Sequence, residues 1–385
     1  MKSVIILIFL LFSIAAIYQI IKIFKSYKYY KRTIENYGYT LEELDVTTED
    51  GYILSLWHLL PKEGKQGTKV VYLVPGIHCT GWAFFQLGEN SLPFLLIEEG
   101  FDVWIANNRG TSFSLGHISK YSSKINGDYW DFSLDELAKY DLPATIDFIK
   151  EKTGQDKINY IGHSQGTLLF FMLYMSNPTY IESSIDKYVA LGAVLNMAYS
   201  TSSILEFVDK LYKILDMKPM LKGYTFSRPT KNTISFICKV NPDFCRDLFD
   251  KHFSLKPTNN IDYDTFWKFL IYYPGGASKN ILLHWDQIYQ LKKLVYFNED
   301  YSKNKDKYEE YDMNVFKNWK IKMLLQVSDA DSISISQAMK ELQESITDKS
   351  LVTLLETPNY GHLDDYGSKT APEDIYDPII DYLSK

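Results

Sequence analysis

The sequence predicts an α/β protein with a mostly parallel central sheet, helices on both faces and one largely helical insertion. Three observations carry this. Short β-branched runs alternate with helical patterns from residue 69 to residue 196, as strand–helix–strand units require. The alternation lapses over 197–318, where aromatic and helix-periodic residues dominate, and resumes from 319. The chain has 385 residues, which suits one large core plus an insertion, and we find no internal repeat.

The elements follow in order. Met1 and Lys2 precede an apolar run from Val4 to Ile21, and Lys22, Lys25, Lys28, Lys31 and Arg32 follow it. Residues 1–32 read either as a signal peptide, with Ser13-Ile14-Ala15 as the small-residue cleavage site, or as a membrane anchor. As a helix the run would reach about 27 Å, barely a bilayer core. An interfacial helix is a third reading. As an anchor, its basic C-terminal flank would favour a cytosolic side, against a lumenal body. No glycosylation sequon decides between these, because Pro178 disqualifies Asn177-Pro178-Thr179.

Residues 44–60 alternate around Asp50-Gly51 and predict a β-hairpin. Strands are expected at Lys69–Val74, Phe101–Ala106, Ile158–Ile161, Tyr188–Val194, Met323–Val327 and Leu351–Glu356. Helices are expected at Leu134–Lys152, Thr167–Met175 and Pro372–Leu383. The core therefore comprises 33–196 and 319–385, and 197–318 forms a cap. In the cap, Ile204, Phe207, Val208, Leu211, Ile214 and Leu215 repeat at helical spacing. Its aromatic residues Trp267, Phe269, Tyr272, Tyr273 and Trp285 suit either helical packing or an apolar substrate. Cys238 and Cys245 would bridge in an exported chain and stay reduced otherwise.

Composition excludes several functions. Forty-one basic and 48 acidic residues leave a net charge of −7, the wrong sign for a nucleic-acid footprint. Three cysteines make neither a disulfide scaffold nor a zinc site.

The chemistry centres on Gly162-His163-Ser164-Gln165-Gly166, a G-x-S-x-G pattern between an apolar strand and a helical run. That context exposes Ser164 Oγ at a sharp turn, above a helix N-terminus that favours developing negative charge. A serine hydroxyl needs a base. Of the seven histidines, only His362 follows both the cap and the last strand. The acid belongs to the loop Ser328-Asp329-Ala330-Asp331, where Asp329 and Asp331 are both candidates; it would fix the imidazole tautomer. Asp364 and Asp365 are too near His362 in sequence to be expected orienters. Two backbone donors should face the oxyanion: the Gln165 N–H, next to the nucleophile, and the Ile77 N–H, after Pro75-Gly76. No metal or organic cofactor is needed.

Longer strings carry more specificity. They include Val46–Leu54, Asp102-Val103-Trp104, Asn108-Arg109-Gly110, Asp135-Glu136, Ala138–Ile149, Pro274–Ser278 and Leu283-His284-Trp285. On these the chain, from residue 35 onward, resembles the acid lipase family of the α/β-hydrolase fold, which includes lysosomal acid lipase and gastric lipase. The resemblance implies an esterase of triacylglycerols or sterol esters acting at lipid surfaces. It also carries the nucleophile to Ser164, the base to His362 and the oxyanion donors to Ile77 and Gln165.

Three departures stand out. The family's Gly-Gly-Asn-Asp acid loop is Ser328-Asp329-Ala330-Asp331 here; its final Asp aligns with Asp331, which favours that residue. The family's His-Gly-Leu is Pro75-Gly76-Ile77, and Gly361 replaces Asn before the histidine. Arg109 reads as a structural brace near the site. The resulting expectation is a serine lipase in the secretory pathway, lysosomal or secreted, or anchored through its N-terminus. A short-chain carboxylesterase or thioesterase, or a silent lipid-binding protein, are the alternatives.

Overall fold

A computed structural model describes residues 28–64, 67–123, 127–195, 197–200, 222–224, 228–256, 258–301 and 303–385. The proposed leader (residues 1–27 of it) and the helical repeat Ile204–Leu215 lie outside the described residues. Among the described residues no helix is long and apolar enough to cross a membrane. Helix α1 (Tyr29–Asn36) opens the described chain. Its Tyr30 ring is buried and stacks on Trp57, with centroids 4.7 Å apart. Tyr29 and Tyr30, which the sequence assigns to the leader, thus pack on aromatic rings of the core.

The hairpin is β1 (Thr40–Thr47) and β2 (Tyr52–Leu60), paired antiparallel. Next come β3 (Lys69–Val74), α2 (Leu92–Glu98), β4 (Phe101–Ile105) and the short β5 (Gly116–His117). The predicted helix from Leu134 is not uniform. Leu134–Glu136 begins it, Leu137–Asp141 forms a π-helical turn, and α3 (Leu142–Thr153) continues. Pro143 lacks the N–H that an unbroken α ladder would need.

Then follow β6 (Ile158–His163), α4 (Gln165–Ser176), α5 (Pro178–Ser184) and β7 (Ile185–Leu191). β7 starts and stops three residues before its predicted span. Gly192 ends it by taking a positive φ of 50°. The segment after β7 contributes β8 (Gly223–Tyr224), α6 (Arg228–Val240), α7 (Pro242–Phe253), β9 (Ala277–Ser278) and α8 (Lys279–Leu291). Cys238 and Cys245 are disulfide-bonded and tie α6 to α7. The chain closes with β10 (Lys322–Val327), α9 (Ser336–Ser345), β11 (Val352–Glu356), α10 (Asp364–Gly367) and α11 (Asp377–Ser384).

The strand order is β1-β2-β4-β3-β6-β7-β10-β11, with β5 beside β2. Pairs from β4 through β11 are parallel, and the first two strands are antiparallel. Two apolar clusters cover the sheet. One holds Tyr160, Phe170, Tyr188 and Trp319; the other holds Trp57, Phe94, Ile161 and Val189. Tyr160 and Ile161 are neighbours on β6 yet fall in different clusters, because successive strand side chains point to opposite faces. β6 and α4 are buried along almost their whole lengths, so the turn between them sits at the centre of the molecule.

Candidate active site

The β6–α4 turn places Ser164 at φ 52° and ψ −117°, a region that L-residues rarely occupy. Two glycines make the turn possible. A Cβ on Gly162 would lie 2.8 Å from the Gly166 carbonyl carbon, and one on Gly166 would lie 2.3 Å from the Val74 oxygen. His362 Nε2 stands 2.8 Å from Ser164 Oγ. His362 Nδ1 stands 2.8 Å from Asp331 Oδ2. The other Asp331 oxygen accepts the N–H groups of Ile333 (2.7 Å) and Ser334 (2.9 Å), so the carboxylate is fixed before it meets the imidazole. All three side chains are buried.

Asp329 is elsewhere. It is exposed, pairs with Lys256 at 3.0 Å and accepts the Asn359 N–H at 2.6 Å. That backbone hydrogen bond, then Lys256, holds its carboxyl below the usual range. The acid loop manages without the family's glycines. None of residues 328–331 has a positive φ. Instead Ser328 Oγ accepts the N–H groups of Ala330 and Tyr360 (both 3.1 Å) and donates to the Tyr360 carbonyl (2.6 Å).

The two expected oxyanion donors belong to the two segments that meet at the serine. Gln165 is the first residue of α4, so its N–H has no acceptor within the helix. Gly76 lies against the nucleophile; a Cβ there would stand 3.1 Å from Ser164 Cβ. Ile77 follows it, and His78 turns the chain at φ 59°. Trp285 Nε1 donates to Gln165 Oε1 at 3.1 Å, which ties the Leu-His-Trp element to the residue after the nucleophile.

Sequence reasoning missed a strap. Residues 253–255, at the end of α7, run between the two loops that carry His362 and Asp331. The His362 N–H donates to the Phe253 carbonyl (3.0 Å), the Leu255 N–H donates to the Ala330 carbonyl (2.7 Å), and Ser254 bridges Asp331. This explains Gly361. A Cβ at that position would fall 2.0 Å from Ser254 Oγ. No local signal in 253–255 announces such contacts, because they join segments far apart in sequence.

Arg109 does not reach the serine or the imidazole. Its buried guanidinium bonds Asp50 (2.6 and 2.9 Å) and Asp141 (2.7 Å) and lies over the Tyr52 ring at 3.9 Å. It joins the β-hairpin to the π-helical turn, a bracing role. Arg109→Met should cost about 3–5 kcal/mol of folding stability, since it strands the buried Asp141 carboxylate. Chemical denaturation of the two proteins measures this.

The comparisons agree with this architecture. A family model described as "alpha/beta hydrolase fold" matches residues 69–364, and one described as "Partial alpha/beta-hydrolase lipase region" matches residues 30–88. Gastric triacylglycerol lipase of Rattus norvegicus is 32% identical, covering 91% of this chain and 90% of that protein. Lysosomal acid lipase/cholesteryl ester hydrolase of Homo sapiens is 31% identical, with 91% and 90% covered. Among solved structures, an esterase from Thermogutta terrifontis superposes with a TM-score of 0.54 at 14% identity, covering 89% of this chain and 98% of that one; it shares the fold. With the two family models spanning residues 30–364 between them and the two lipases matching 91% of its length at 31–32% identity, the chain belongs to the acid lipase family of α/β-hydrolases.

Proposed function

We propose that this protein is a serine lipase that hydrolyses triacylglycerols or sterol esters at a lipid surface. The observation that carries the reading is one imidazole held at 2.8 Å from both a strained serine hydroxyl and a fixed buried carboxylate. His362 accepts the Ser164 proton as Oγ attacks the ester carbonyl. Asp331 stabilises the imidazolium. The N–H groups of Ile77 and Gln165 receive the oxyanion, each lowering the barrier by about 3 kcal/mol. His362 then protonates the departing alcohol, leaving an acyl-Ser164. Water repeats the sequence, with His362 taking its proton, and the fatty acid leaves. Residues 197–318 serve as the cap that shields this site and accommodates acyl chains. The names of the relatives support glycerol and sterol esters as substrates. The Cys238–Cys245 bridge and those relatives support a secretory-pathway protein, lysosomal or secreted.

The test is oleate release from emulsified triolein and cholesteryl oleate by the full chain between pH 4 and 8. Release from either, absent in Ser164→Ala, is the expected result. Cleavage of soluble short-chain esters alone would make the protein a small-ester hydrolase. Folded protein that cleaves nothing and resists a fluorophosphonate label would be a silent lipid binder.

A further inference from the structure

Beside His163, whose Nε2 bonds the His362 carbonyl, lies a buried polar group that the acyl-transfer steps do not use. Asp365 is 2% exposed. Its Oδ1 accepts one hydrogen bond, from Gln326 Nε2 at 2.8 Å, and its Oδ2 has no hydrogen-bond partner among the described residues. Gln326 is itself fixed. Its Oε1 accepts the Gly192 N–H (2.8 Å), which turns its amide NH2 toward Asp365 and Thr357.

Facing Asp365 Oδ2 is His163 Nε2, 3.7 Å away. That nitrogen makes its hydrogen bond elsewhere, at 3.0 Å to the His362 carbonyl oxygen, so it carries the ring's proton. His163 Nδ1 has no hydrogen-bond partner among the described residues, which suits an unprotonated nitrogen. The other titratable groups around Asp365 are Asp331 on the acid loop, Asp364 and Tyr366 on α10, and Tyr376, whose hydroxyl donates to the Asp365 carbonyl. The two acids would repel a charge there.

An ionised Asp365 would thus be dry, singly hydrogen-bonded and beside two other carboxyls, an expensive arrangement. One proton on it removes the charge and with it the largest part of that cost. Burial first, and then Asp331 and Asp364, push its carboxyl well above the usual range. Burial, and then His362, push His163 well below its ordinary value. We propose that Asp365 is a positioning acid for this reaction. Its uncharged carboxyl leaves the His163 proton on the His362 carbonyl, and its deprotonation sets the alkaline limit of activity. When Asp365 gives its proton to solvent, the carboxylate competes for His163 Nε2–H and loosens the His362 main chain. The inference rests on the reading of His362 as the base.

Linkage gives the sign. The native state keeps a proton that an unfolded aspartate loses near about pH 3.9. Stability therefore falls as pH rises above that value, until the native carboxyl itself ionises. Asparagine has no such slope, and the His163 contribution is common to both proteins.

The experiment compares full-length wild type with Asp365→Asn from pH 4 to 9. At pH 4 the two should melt within about 1 °C of each other, and at pH 7 the variant should melt about 3 °C higher. The ratio of variant to wild-type kcat/KM should rise between pH 5 and 9, by about tenfold for each pH unit beyond the point where the wild-type carboxyl ionises. Infrared spectra of wild type labelled with 13C-aspartate should show a protonated-carboxyl band at pH 7 that fades as activity falls; this needs no variant. A variant less stable than wild type at pH 7, a pH-independent activity ratio, or no such band would overturn the proposal. A wild type that hydrolyses nothing would instead overturn the base assignment, while the melting and infrared readouts still report the charge on Asp365.

Discussion

Ser164→Ala should lower kcat on a lipid ester by on the order of 10⁶-fold while leaving the melting temperature nearly unchanged. The size follows from the loss of the covalent step. What remains is binding and oxyanion stabilisation, worth on the order of 10³–10⁴ over water. The neutrality of the fold follows from the turn: Gly162 and Gly166, not the serine side chain, relieve its close contacts. Relaxing the positive φ is equally unavailable to alanine, so the backbone should hold. Burst kinetics with a chromogenic ester, which titrate an acyl-enzyme, provide the check. A persistent burst in Ser164→Ala would place the nucleophile elsewhere.

The second large effect separates two aspartates that stand two residues apart. Asp331→Asn should reduce kcat on the order of 10⁴-fold, because an amide presents the wrong partner to His362 Nδ1 and no longer balances an imidazolium. Asp329→Asn should change kcat by less than about threefold, since it removes an exposed pair with Lys256. Paired assays of the two variants at one pH, after equal melting temperatures are verified, decide the matter. Equal losses in both would mean that the loop, and not one carboxylate, carries the effect. The prediction depends on the Ile333 and Ser334 N–H groups, which orient Asp331 toward the ring. Asp329 has spent its own oxygens on Asn359 and Lys256.

Much of the fold was legible because its signals are local. β3 begins and ends where its apolar run does, and the Asp50-Gly51 turn fixes the hairpin. The order of serine, aspartate and histidine along the chain, together with the ends of strands at which they fall, points to Ser164 and His362. Where expectation and structure part, the cause is local geometry that composition does not encode. β7 ends early because Gly192 turns left-handed beneath His362, where a Cβ would come within 3.2 Å of the imidazole. The helix from Leu134 contains a π turn where Asp141 faces Arg109 and Pro143 follows two residues later.

The class of fold, the strand–turn–helix around Ser164 and the family are legible in the chain alone, since each is written in short contiguous strings whose period, glycines and order have direct physical meaning. Packing sets Asp331 rather than Asp329 against His362, gives Arg109 its place as a brace, accounts for Gly361 through Ser254, and brings Asp365 to His163 and His163 to the His362 carbonyl. Those contacts join residues tens to hundreds of positions apart. A chain's local propensities say which segments extend or coil, but packing alone says which distant side chains share a buried space, and the charge a buried group can carry follows from that space.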